Sequence, residues 1–99
     1  MIKRIVVMEM FPEQETAFLD IFKEVRTQIR SMQGCLGLEL LRSRQEDTIG
    51  IWTISLWESE ADLEHYRTSE LFKKTWSSVK PLFASKARAW TLTTIDALP

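Results

Sequence analysis

The sequence predicts an α+β fold in which strands and helices follow the order β-α-β-β-α-β. Three observations predict it. Apolar residues recur at helical spacing from Phe18 to Met32 and again from Phe72 to Phe83. Strand-forming residues fill Ile2 to Met10, Leu36 to Leu41, Thr48 to Trp57 and Lys86 to Thr94. Turn signals at Gly34, at Arg42 to Asp47, and at Thr68 and Ser69 separate these segments.

Ile2 to Met10 carries the β-branched run Ile5, Val6, Val7 with charges near its ends, the pattern of a strand buried on both faces over its middle. Pro12 suits the first turn of a helix, where its missing N–H costs nothing. Phe18, Phe22, Val25, Ile29 and Met32 then form one stripe along a helix of about five turns, with Glu13, Glu15, Asp20 and Glu24 on its solvated side. Gly34 stops it. The second strand, Leu36 to Leu41, turns through the polar stretch Arg42 to Asp47 into the third, Thr48 to Trp57. Ser59 with Asp62 three residues on has the form of a capping box, and Ser69 is a second N-cap, so the next helix comes in two steps. Pro81 bars a regular helix beyond the stripe Phe72, Trp76, Val79, because its ring clashes with the carbonyl four residues back. Right-handed crossovers fold this order into a four-stranded antiparallel sheet with the helices on one face, the ferredoxin-like arrangement.

Strand three alternates Ile49, Ile51, Thr53, Ser55, Trp57 with Gly50, Trp52, Ile54, Leu56, so both faces of the sheet carry large apolar groups. Helices cover only one face. Shielding a few hundred Å² of the other at about 25 cal/mol per Å² contributes several kcal/mol, which predicts a homodimer packed sheet on sheet.

At 99 residues the chain is expected to be one domain spanning 1–99. A hydrophobic fraction of 44% and a charged fraction of 27% exclude disordered and collagen-like classes. A net charge of -1 argues against a chain built to neutralise phosphates. The lone Cys35 forms no internal disulfide, and the first apolar run is too short to cross a bilayer, so the expectation is an untargeted cytoplasmic protein without membrane partners. The same element order builds RNA-recognition modules, but strand three reads I-G-I-W-T-I-S-L-W and lacks their aromatic pattern. Lys73, Lys74, Lys80, Lys86 and Arg88 read as solvated positions, and no nucleic-acid partner is expected.

Most side chains capable of chemistry lie between Trp57 and Trp76, where the only histidine, His65, and the only tyrosine, Tyr66, precede Arg67. Trp57, Leu63, Tyr66, Ser69 and Phe72 stand as W-x5-L-x2-[HYW]-x2-S-x2-F. Together with the strand Arg4 to Met8, the Phe18 to Phe22 helix and Gly34, this pattern resembles the antibiotic biosynthesis monooxygenase (ABM) family over nearly the whole length. The resemblance implies a dimeric α+β barrel with a cavity between helices and sheet, and, as one of the family's activities, cofactor-independent oxygenation of a small phenolic, quinol or enol compound. A non-catalytic binding or stress-associated role is the alternative, and a dimerisation fold without a ligand a third. The haem-degrading branch resembles this chain in outline but has an asparagine, a tryptophan and an iron-binding histidine where Val6, Tyr66 and Trp76 stand here, and the sequence contains no asparagine. No cofactor is therefore expected.

Cofactor-free oxygenation needs a dry pocket with a proton acceptor and one or two hydrogen-bond donors. The resemblance places Tyr66 at the cavity to orient or deprotonate the substrate. His65 is the second catalytic candidate, although many relatives carry a histidine at the position of Tyr66, and the one-residue offset turns a helical side chain by about 100 degrees. As plain structure, Tyr66 is an edge-of-core residue and His65 a solvent-facing one. Arg67, Phe72, Trp76, Val6 and Met8 are candidate substrate contacts. For Phe72 and Trp76 the competing reading is an ordinary core stripe, and for Val6 and Met8 plain strand packing. Cys35 lacks a paired base and reads as a small hydrophobe, and no spacing of His, Cys or carboxylates indicates a metal.

Overall fold

The computed structural model describes residues 1–99. Its elements are β1 (Ile2–Met10), a 3-10 turn (Pro12–Gln14), α1 (Glu15–Arg30), β2 (Cys35–Arg44), β3 (Ile49–Trp57), α2 (Glu60–Arg67), α3 (Glu70–Val79), a second 3-10 turn (Lys80–Leu82) and β4 (Arg88–Thr93). The strands form one antiparallel sheet in the order β2-β3-β1-β4. This is the α+β, ferredoxin-like arrangement.

Register decides which side chains meet the helices. Val6 pairs with Thr53 and Ala89, and Met8 with Ile51, so the even residues of β1 share a face with the odd residues of β3. Met8, Met10, Ile49 and Ile51 are buried there against Phe18 of α1 and Val79 of α3. A second cluster, Ile2, Cys35, Trp57 and Leu63, closes the other end of the same layer. The opposite face of the sheet has no helix over it. Ile5 lies between Ile54 and Trp90 in register, and Trp90 and Leu92 of β4 are 41% and 48% exposed.

Two elements end elsewhere than the sequence predicts, and a third ends as Pro81 requires. The strand β2 runs on through Arg42, Ser43 and Arg44, which the sequence assigns to the turn. It is an edge strand whose polar side chains find partners: Arg42 pairs with Glu15 at 2.8 Å, and Ser43 accepts a hydrogen bond from the Trp52 indole at 3.0 Å. The helix α1 ends at Arg30, before Met32, while Gly34 lies in the following turn at φ +78, a left-handed backbone that favours glycine. As expected from Pro81, α3 stops at Val79 and Pro81 occupies a 3-10 turn, leaving Phe83 outside the helix. Phe83 still packs edge-on against Trp76, with centroids 5.4 Å apart.

No helix is long and apolar enough to cross a membrane.

Candidate functional site

The two-step helix builds the roof of a cavity, and two serines fix its angles. Ser59 caps α2, accepting from the Asp62 amide at 3.2 Å and donating to the Asp62 carboxylate at 2.9 Å. Ser69 caps α3, accepting from the Phe72 amide at 3.1 Å, while its hydroxyl donates to the carbonyl of Tyr66 at 2.6 Å. One side chain thus ties the last turn of α2 to the first turn of α3. Around that joint runs an aromatic ladder. Trp57, fully buried at the end of β3, stacks on Tyr66 at 5.1 Å; Tyr66 meets Phe72 edge-on at 5.3 Å; Phe72 stacks on Trp76 at 5.9 Å. The Trp57 indole donates to Ser55 at 2.9 Å, so the one buried polar residue of the sheet has a partner.

Between this roof and the sheet lies a cavity of about 330 Å³. Its floor is Arg4, Val6 and Met8 of β1, Leu38 of β2, Thr53 and Ser55 of β3, with Ala87 and Ala89 at the β4 side. The roof and walls are Phe18, Phe22 and Ile29 of α1, Leu63, Tyr66 and Arg67 of α2, and Phe72, Thr75, Trp76 and Val79 of α3. Of the predicted contacts, Val6, Met8, Tyr66, Arg67, Phe72 and Trp76 all border this space. His65 does not. It is exposed on α2 outside the cavity lining, because the one-residue offset from Tyr66 rotates it away from the sheet.

Burial sets the protonation state of Tyr66. Burial, with a smaller contribution from Cys35 beside it, pushes the Tyr66 hydroxyl up to about 12, so near neutral pH it holds its proton and serves as a hydrogen-bond donor. It is no base. Two guanidinium groups border the same space. Arg67 is paired with Glu64 at 3.3 Å, whereas Arg4 forms no ion pair and donates only to the neutral hydroxyl of Thr91 at 2.7 Å. Burial first, then the like charge of Arg67, lowers the pKa of Arg4, with Glu64 opposing. Apolar walls, one phenolic donor and a guanidinium outside any ion pair thus line one space. No three His, Cys, Asp or Glu side chains gather where they could hold a metal ion.

Arg4 was not among the sequence candidates, since a charge near a strand end reads as solvated. The signal was present in the alternation: Arg4 shares the parity of Val6 and Met8. Thr75, one residue before Trp76, and the α1 residues Phe18, Phe22 and Ile29 also escape a reading that treats stripes only as core.

The family profile for antibiotic biosynthesis monooxygenases matches residues 1–76. The chain belongs to this family. Among solved structures, a candidate antibiotic biosynthesis monooxygenase from Caulobacter crescentus superposes with a TM-score of 0.85 at 21% identity, covering 96% of this chain and 90% of that one. A protein from Mycobacterium tuberculosis gives 0.81 at 17% identity over 99% and 98% of the two chains. One from Methanosarcina mazei gives 0.80 at 16% over 92% and 90%. At these identities the likeness attests the fold. No curated protein matches the chain. In this ABM protein the family motif has a structural explanation. Trp57, Tyr66 and Phe72 are rungs of the ladder, Leu63 is buried beneath it, and Ser69 latches its two halves.

Proposed function

We propose that this ABM protein is a cofactor-independent monooxygenase acting on a small phenolic, quinol or enol compound in the cavity beneath α2 and α3, as a homodimer. The reading is carried by the convergence of the protonated Tyr66 hydroxyl and the unpaired Arg4 cation on an aromatic-walled space of about 330 Å³. Phe72 and Trp76 hold the ring from above and Val6 and Met8 support it from below. Tyr66 donates to the substrate oxygen, and Arg4 favours its ionised form. The bound anion passes one electron to dioxygen, and the carbon radical and superoxide combine into a peroxide. With one proton taken up, the peroxide loses water, using the hydrogen on the attacked carbon, and leaves a new carbonyl. One oxygen atom stays in the product and the other leaves as water.

The lining contains no carboxylate or imidazole. The substrate's first proton therefore leaves to solvent, and compounds that ionise readily are the preferred ones. That same observation favours the second reading, a binding protein that uses the cavity as a receptacle. Oxygen consumption with a panel of hydroquinones separates the two. Uptake that falls about 100-fold in Tyr66→Phe supports oxygenation, by analogy with the loss of one preorganised donor. Absence of uptake, with saturable ligand-induced stabilisation, supports the receptacle.

For the dimer, the support is the helix-free face of the sheet, where Trp90 and Leu92 stand beside Ile5, Ile54 and Trp52. Light scattering after size exclusion tests it, and a monomer at micromolar concentration refutes it.

A further inference from the structure

One polar group of the cavity has no partner within the protein. The Thr75 hydroxyl is buried without a hydrogen bond. Hydroxyls inside a helix ordinarily bond back to a carbonyl three or four residues earlier. Its neighbours do so: Ser77 donates to the carbonyl of Lys73 at 2.9 Å and Ser78 to that of Lys74 at 3.0 Å. Thr75 on the same helix does not, and it borders the cavity from the roof while Arg4 borders it from the floor. Unlike Arg67, which pairs with Glu64 at 3.3 Å, Arg4 has no ion-pair partner; its guanidinium donates to the neutral Thr91 hydroxyl, and Glu64 acts on it only at longer range. The pocket therefore presents two unanswered polar demands, one for negative charge and one for a hydrogen-bonding group, set among apolar walls.

We propose that the ligand is an aromatic acid with a second polar substituent, its carboxylate or equivalent anion held by Arg4 and its hydroxyl or carbonyl hydrogen-bonded to Thr75. This rests on the cavity being the ligand site, and it narrows the substrate class from phenols and enols in general to those bearing an anionic group at neutral pH. A fused two-ring skeleton suits a space of about 330 Å³, at the small end of ligand pockets, which start near 300 Å³.

The test is calorimetric titration of the full chain at neutral pH with 6-hydroxy-2-naphthoate, 2-naphthoate, which lacks the hydroxyl, and 2-naphthol, which lacks the anion. The hydroxynaphthoate is expected to bind about 10- to 100-fold more tightly than 2-naphthol, as a charge-assisted contact implies, and about 3- to 10-fold more tightly than 2-naphthoate. In Arg4→Met the first advantage collapses and the second survives. In Thr75→Val the second collapses and the first survives. Equal binding of all three compounds, binding of none, or a uniform loss in both variants overturns the proposal. Oxygen uptake is read separately: uptake with neutral quinols but no preference for the acid sinks this inference alone, while selective binding of the acid without uptake by any substrate sinks the oxygenase reading alone.

Discussion

The state of Tyr66 is the sharpest consequence of the geometry, and the chain is well suited to test it, because Tyr66 is its only tyrosine. The perturbation is alkaline titration. In the folded protein the hydroxyl is held up to about 12, chiefly by burial under the α2–α3 joint, against an ordinary value of 10.0. Each tenfold displacement of an ionisation equilibrium corresponds to about 1.4 kcal/mol, so the folded state keeps this proton more tightly than the unfolded chain by ~2–3 kcal/mol. Below the unfolded value both states are protonated and stability is intact. As pH rises from 10.0 toward about 12 the unfolded chain releases its proton first, and stability falls by up to that amount. Two assays read the same number. The tyrosinate absorbance band follows ionisation of the folded protein directly, and urea unfolding at a series of pH values follows its linkage to stability. Tyr66→Phe is the control, since other groups titrate in this range and only the difference between the two proteins belongs to Tyr66. A midpoint near the ordinary tyrosine value, or an identical alkaline loss of stability in Tyr66→Phe, refutes the burial of this hydroxyl and with it the assignment of Tyr66 as a donor.

Other substitutions probe the cavity and the fold. Trp57→Ala, at a fully buried site stacked on Tyr66, is expected to cost ~4–5 kcal/mol by denaturant unfolding, whereas Trp76→Ala, which borders open space, costs less than ~3 kcal/mol; equal losses would mean that the space around Trp76 is filled. Thr75→Val removes an unpartnered buried hydroxyl and is expected to stabilise the unliganded protein by about 1 kcal/mol, measured by the same unfolding curves. Gly34→Ala forces a left-handed backbone on a residue whose new methyl group overlaps the Asp62 side chain, itself held by Ser59, and is expected to cost ~2–4 kcal/mol. Trp90→Glu places a charge on the helix-free face, and a shift from dimer to monomer in light scattering is the expected result.

The fold was legible because local signals agreed with one another. Phe18, Phe22 and Ile29 mark the inner side of α1, Ser59 and Ser69 cap the two steps of the second helical segment, and Pro81 ends it. The reading went astray where an edge strand tolerates polar residues, as at Arg42 to Arg44, since charge alone does not distinguish a turn from a strand with one side in water. In the candidate site, the aromatic members were visible in the sequence because they are large and regularly spaced. Arg4 and Thr75 were not, because burial and lack of a partner are properties of the assembled layers. His65 illustrates the limit of residue type as a guide: the most reactive side chain in the segment is exposed, and its neighbour occupies the cavity.

The Ser69 hydroxyl, shared between Tyr66 and Phe72, reinforces a backbone bond from the Ser69 amide to the Tyr66 carbonyl at 3.0 Å, so the spacing of the phenol and the neighbouring ring is set at one residue. Removing the hydroxyl leaves that backbone bond and the bonds of Thr68 to the α2 carbonyls, so the joint loosens without coming apart. Chamber width in this protein is thus set at a joint of the backbone, leaving the wall residues free to vary in size without disturbing how the phenolic oxygen is aimed.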